Sequence, residues 1–192
     1  MKSKKPIAAG KSSFDLIDAR KLFHELPLKK DTVFLDLGCG RGAYSMAAAK
    51  YMGIKCKIYA MDLWPEGISN LRQVVKTKKI KNIRAEVADV TRKVPMAARS
   101  VDVCLMATVL HDLIQEHGAK GAIKEVRRVL KPDGVFAVVE FKKIDGPPGP
   151  PRSIRLSPAE LNSLLASYGF CRIKTKTLGR YNYLSIFRKT ED

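Results

Sequence analysis

Along the chain, short apolar runs without helical period alternate with stretches whose apolar positions recur every three to four residues, a pattern that predicts strands interleaved with helices. The first helical stretch opens at Ser12 or Ser13, carries Phe14, Ile17 and Leu22, and extends to about Leu26 before Pro27 ends it. Residues 32–37 form an apolar run that stops at glycine, as a buried strand does. After the glycine loop comes an alanine-rich helix over residues 43–51, closed by Gly53. A second strand is expected over residues 57–61, a helix opening at Pro65 to about Lys76, and a third strand over residues 83–87. Residues 101–106 read as the fourth strand, followed by a helix from about Ala119 to Leu130 that the sequence KPDG stops. The fifth strand spans residues 135–141.

Beyond the segment GPPGPP, Ser157-Pro158-Ala159-Glu160 combines a cap, a first-turn proline and a capping-box glutamate, and so starts the last helix, which Gly169 ends. Two β-like runs, residues 171–177 and 181–187, flank Leu178-Gly179-Arg180 at hairpin spacing. Strands alternating with helices imply a parallel sheet covered on both faces, with ligands bound at the carboxyl ends of the strands. No repeat is visible. Residues 1–30 are expected to form a tail and leading helix, and residues 31–192 one ligand-binding domain.

At 192 residues and 45% hydrophobic content the chain can bury one ordinary core. Its longest apolar runs, residues 101–110 and 135–139, fall far short of a membrane span, and residues 7–9 are too short for the core of a signal peptide. A cytoplasmic location is the expectation. Cys39, Cys56, Cys104 and Cys171 form no CxxC pair, so reduced thiols are expected and no metal site.

The net charge of +17 raises the question of nucleic acid. Many of the cations, including Lys29, Lys30, Lys50, Lys55, Lys57, Lys76, Lys78, Lys79, Lys81, Arg127, Arg128 and Lys131, fall at helix ends or before strands, opposite the ligand edge, where helix dipoles account for much of them. Arg41, Lys142, Lys143, Arg152, Arg155 and Arg180 should lie nearer that edge and could attract an anionic substrate. The proline-rich segment reads equally as a spacer or as a lid over the substrate.

Gly38, Gly40 and Gly42 sit between a strand and a helix, where backbone can approach a ligand and free N–H groups can meet polar atoms. The same residues satisfy the dinucleotide fingerprint GxGxxG/A, so the loop alone leaves the ligand open. Asp62 ends the second strand, where a carboxylate can accept both hydroxyls of a ribose. Asp36, before the first glycine, suits a cationic ligand portion better than a pyrophosphate, and Asp89 after the third strand could accept a hydrogen bond from an adenine amine.

The motifs LDLGCGRG, YAMDLW, ADV and EVRRVLKPDGVFAVVEF together resemble those of the class I S-adenosylmethionine-dependent methyltransferases, from Val33 to Phe187, and are similar to the ubiquinone and menaquinone biosynthesis branch of small-molecule enzymes. The resemblance implies a Rossmann-like α/β fold with a seven-stranded, mostly parallel sheet, an antiparallel last strand and helices on both faces. It implies S-adenosylmethionine as cofactor and S-adenosylhomocysteine as product. Gly38, Cys39 and Gly40 would contact the methionine portion, Asp62 the ribose, and Asp89 with Val90 the adenine. Asp36, Gly42, Tyr44, Leu63, Met106 and Thr108 complete the expected cofactor site.

The family places its acceptor pocket after the fourth strand, which makes His111 and Asp112 the catalytic candidates, with His111 suited to take a proton near neutral pH. Phe14, His111, Arg152, Arg155 and Tyr181 are expected around a planar or acidic small molecule, with Tyr183 a further aromatic. The Asn/Asp-Pro-Pro-aromatic tetrapeptide of amino methyltransferases does not follow the fourth strand, which counts against methylation of nucleic-acid adenine. An RNA methyltransferase, a cofactor-binding module without catalysis and an NAD-dependent oxidoreductase remain as alternatives.

Overall fold

The computed structural model describes residues 9–190; the first eight residues of the expected tail and the last two of the chain lie outside it. Seven strands form one sheet: β1 (Val33–Leu37), β2 (Lys57–Asp62), β3 (Ile83–Val87), β4 (Val101–Ala107), β5 (Leu130–Phe141), β6 (Phe170–Thr177) and β7 (Asn182–Lys189). Their order is β3-β2-β1-β4-β5-β7-β6. The pairs among β1 to β5 are parallel, whereas β7 runs antiparallel to both β5 and β6, so the expected antiparallel last strand is present. The order reverses at β1/β4, the point where open α/β sheets bind ligands.

Helices α1 (Ala19–Glu25), α2 (Ala43–Met52) and α3 (Pro65–Thr77) accompany the first strands, and α4 (Leu110–Gln115), α5 (Ala119–Val129) and α6 (Pro158–Ala166) the later ones. The two faces of the sheet carry separate cores. One packs Leu22, Phe34, Ala48, Ile68 and Ile186, the other Leu35, Met106, Ile123, Leu161 and Phe187. Alternation along β1 explains the division, since Phe34 and Leu35 point to opposite faces.

Three elements differ from the sequence expectation. The single leading helix is a 3-10 turn (Phe14–Leu16) and then α1, because Asp18 caps a new start by accepting from Lys21 N–H. Helix α4 was not foreseen; its six residues bury Leu110 and Leu113 but are too few to show a period. Strand β5 begins at Leu130 rather than 135, because Leu130 pairs with Val101 across an irregular register that lets KPDG remain in the strand. The capping box at Ser157 and Glu160 forms as expected.

Candidate active site

Backbone hydrogen bonds lace the strand tips together. Gly38 and Cys39 N–H both donate to Met61 O at 2.8 and 3.1 Å, Ala88 N–H to Asp62 O at 2.9 Å, and Thr108 N–H to Val139 O at 2.7 Å. The turns after β1 and β3 are thereby tied to the tip of β2, and the turn after β4 to β5. Within the first, Gly38, Gly40 and Gly42 have φ of 75°, 56° and 78°, the left-handed region that glycine enters without cost. Their surroundings differ. A Cβ on Gly38 would strike Val109 and one on Gly42 would strike Leu71, whereas Gly40 has open space beyond it. The loop thus packs tightly at both ends and presents bare backbone in the middle.

Asp36 is 1% exposed, and its described partner is the Ser45 hydroxyl, which donates to Oδ2 at 2.6 Å. Burial pushes its carboxyl up to about 7, against the opposing Ser45 hydrogen bond and with a further rise from the Asp62 charge. Asp62, at the tip of β2, accepts from Gly40 N–H and Trp64 N–H, both at 2.8 Å, which fixes the carboxylate against the glycine loop. Each of its oxygens keeps a further lone pair for a ligand hydroxyl. Asp89 is engaged differently: Oδ1 accepts from the backbone and hydroxyl of Thr91, and Oδ2 lies 3.3 Å from Arg92 Nε. Val90 and Cys39 are buried beside these turns, and Leu63 is exposed.

Across the tip of β4, Ser13 Oγ lies 2.8 Å from Tyr44 OH and 3.0 Å from Thr108 Oγ1, so the leading segment crosses the same edge. Phe14 packs edge-on to Tyr44 at 5.1 Å. Thr108 has φ of 55°, an unfavourable conformation for a β-branched residue, and its neighbours over-determine it. Next to it, His111 is 4% exposed and Glu140 fully buried. His111 Nδ1 is 2.7 Å from Glu140 Oε2, and the His111 backbone N–H donates to Oε1 at 3.2 Å.

Burial of the His111 ring opposes its charged form, but the hydrogen bond to Glu140 and the charges of Glu140 and Asp112 outweigh it, so the imidazole titrates above its usual value. Nδ1–H donating to Glu140 leaves Nε2, 3.5 Å from Asp112 Oδ1, as the nitrogen with proton-accepting capacity. Burial also raises the Asp112 carboxyl. Sequence reasoning missed Glu140. Its signal was the single carboxylate in the otherwise apolar stretch VFAVVEF, a position that demands a partner when buried. It also missed Ser13 as a link between Tyr44 and Thr108. Asn182 Oδ1 is buried without a hydrogen-bond partner, while its Nδ2 donates to Glu140 O at 3.4 Å.

Several expected site residues lie elsewhere. Arg155 is 2% exposed, and its five N–H donors reach the carbonyls of Lys142, Ile144, Gly146, Pro148 and Pro150, so its charge organises the proline-rich loop from inside and does not face a substrate. Met106 is fully buried in the core on the α5 side, because strand alternation puts it on the face opposite Asp36, whose register partner is Leu105. Tyr183 is likewise buried and donates to Leu156 O. Arg152 stays exposed, within 3.7 Å of Asp145, and Tyr181 stacks under Arg180. Among the described residues no cluster of three His, Cys, Asp or Glu is placed to hold a metal, and no helix is long and apolar enough to cross a membrane.

A family model described as "Methyltransferase domain" matches residues 28–175. Relatives include the demethylmenaquinone methyltransferase of Lactobacillus johnsonii, 27% identical over 67% of this chain and 51% of that protein. The 2-ketoarginine methyltransferase of Streptomyces arginensis is 27% identical over 77% of this chain and 42% of its own. The chain therefore spans about half the length of the curated relatives it matches. Among solved structures, a SAM-dependent methyltransferase from Aquifex aeolicus superposes with a TM-score of 0.84 over 93% of both chains, at 27% identity.

Proposed function

The chain belongs to the methyltransferase-domain family, and from that premise we propose that it transfers a methyl group from S-adenosylmethionine to a small-molecule acceptor. The observation that carries the proposal is the geometry at the tips of β1 and β2: Asp62 is held by Gly40 N–H and Trp64 N–H beside the bare backbone at Gly40, and the buried carboxylate of Asp36 lies two residues before the loop. An NAD pyrophosphate would bring negative charge to that carboxylate; a cationic amino acid portion would relieve it. The fit extends to Asp62, which is fixed by two backbone N–H groups with lone pairs remaining for ribose hydroxyls, and to the adjacent turn of Asp89 and Val90 for the adenine.

S-adenosylmethionine, when bound, supplies a methyl group on a cationic sulfur. The work of this chain is to hold methyl and acceptor in line at reacting distance, the larger part of what a methyltransferase contributes. His111, oriented by Glu140, accepts the proton of an acceptor that loses one on transfer, and Asp112 lies on the other side of the ring. Tyr44, Thr108 and Ser13 close the edge between cofactor and acceptor.

A small acceptor is favoured over RNA by the state of three of the six cations assigned to this edge. Arg155 is saturated by carbonyls, Lys142 donates to Gly179 O and Lys143 pairs with Glu160. The relatives named above are a demethylmenaquinone methyltransferase and a 2-ketoarginine methyltransferase, which supports a small acceptor here.

The test is calorimetric titration of S-adenosylhomocysteine and, separately, of NAD. Asp62→Ala is expected to weaken S-adenosylhomocysteine by about 1.5 to 3 kcal/mol through loss of charge-assisted hydrogen bonds. Binding of NAD in preference, or affinity indifferent to Asp62, would sink the assignment.

A further inference from the structure

Two loops on the edge of the sheet opposite the active site carry a feature that the methyltransferase reading does not use. Residues 50–57 (KYMGIKCK) join α2 to β2, and residues 75–82 (VKTKKIKN) join α3 to β3. Asn82 staples them: its Nδ2 donates to Gly53 O at 2.9 Å and lies 3.1 Å from Cys56 Sγ, and its carbonyl accepts from Ile58 N–H at 2.8 Å. The stapled pair presents Lys50, Lys55, Lys57, Lys76, Lys78, Lys79 and Lys81, all exposed, with no acidic residue in either segment. Helix dipoles account for Lys50 and Lys76, which lie in the last turns of α2 and α3, but not for the other five.

At the tip of this cluster stand two exposed apolar side chains, Ile54 at 85% and Tyr51 at 48%. They continue into an apolar groove of about 1290 Å³ along the outer face of α2, lined by Phe14, Ala43, Met46 and Ala47. Helix α2 carries one charge in its sequence AYSMAAAKYM, and the groove is walled on its far side by Ala19, Arg20 and Phe23 of α1, so among the described residues the apolar face of α2 is only partly covered.

We propose that the stapled loops dock the protein on an anionic lipid surface, with the lysines in the headgroup layer and Ile54 inserted below it. Basic residues around a protruding aliphatic and an aromatic side chain are the composition of an interfacial anchor. Nucleic acid is less well served, because an aliphatic tip gains nothing from phosphates and Tyr51 already stacks on Phe23, with centroids 5.3 Å apart. The loops contain lysine and no arginine, point charges suited to a diffuse surface potential and not to bidentate phosphate recognition. A second copy of the chain would bring like charge to like charge. Docked this way, the carboxyl edge with Asp36 and Asp62 faces away from the lipid, open to a water-borne acceptor.

The experiment is sedimentation of the full chain with vesicles of phosphatidylcholine alone and of phosphatidylcholine mixed with phosphatidylglycerol, at about 0.1 M salt. Partition is expected only into the anionic vesicles. The variant Lys55→Glu/Lys78→Glu/Lys81→Glu should weaken it about 100-fold or more, at roughly fivefold per lysine, and Ile54→Ser roughly tenfold. Ile54→Ser alters one exposed side chain and keeps the test decisive should the triple variant misfold. No partition into anionic vesicles, or partition indifferent to these changes, overturns the proposal. Tighter binding of a single-stranded RNA oligonucleotide than of the vesicles, lost in the lysine variant, overturns it in favour of nucleic acid.

Discussion

Replacing Asp36 with asparagine isolates the strain that the proposed cofactor relieves. The side chain keeps its shape, and its amide oxygen can still accept from the Ser45 hydroxyl, but the buried charge is gone. The carboxyl rises from 3.8 to about 7 on folding, which at about 1.4 kcal/mol per unit amounts to roughly 4 kcal/mol against the ionised form. The sign follows from linkage: the folded pKa is raised, so this cost is absent below pH 3.8, grows as pH rises above it and is complete once pH passes 7. Urea unfolding at pH 5, 6, 7 and 8 should therefore show Asp36→Asn gaining on the wild type by up to about 1.4 kcal/mol per pH unit, levelling above 7. Other groups titrate in both proteins and cancel in the difference. The variant should at the same time lose affinity for S-adenosylmethionine, whose binding to the wild type near pH 7 should release about half a proton by calorimetry in buffers of different ionisation enthalpy. Parallel stability curves for the two proteins would refute the reasoning, since Asp36 would then carry no buried charge.

His111→Ala removes the side-chain partner of the buried Glu140 Oε2, leaving the carboxylate only the backbone N–H at Oε1, and should destabilise the fold by about 3 kcal/mol, measured by urea unfolding. In the wild type the His111 pKa is raised, so its stabilising contribution is full below about 6.5 and is lost as pH climbs through the raised value; Glu140→Gln should flatten that dependence. If His111 takes a proton from the acceptor, methyl transfer should increase as pH climbs through the same value, and in Glu140→Gln the inflection should move to lower pH. Arg155→Ala strands five loop carbonyls and should cost about 3 kcal/mol or more, with limited proteolysis appearing between residues 142 and 151.

Much of this site was legible because strand, glycine loop and acid follow one another locally in the chain. LDLGCG states both the buried carboxylate and the turn that needs left-handed backbone, and the tip of β2 announces Asp62 by ending an apolar run. What could not be read depends on partners far apart in sequence. His111 and Glu140 are separated by 29 residues and Ser13 and Thr108 by 95, and no spacing rule connects them. Arg155 misled for a related reason: an arginine beside a proline-rich loop looks like a surface cation until the loop's carbonyls are seen to converge on it. Met106 was placed by proximity to a strand end, and the two-residue period of the strand turned it to the other face.

The most direct measurement is a crystal structure with S-adenosylhomocysteine. The ribose hydroxyls are expected within hydrogen-bonding distance of the Asp62 carboxylate, the amino group of the amino acid portion directed to Asp36, and the sulfur on the side of Thr108 and His111. A ligand lying elsewhere, or one bound at this edge with its amino group turned away from Asp36, would contradict the assignment.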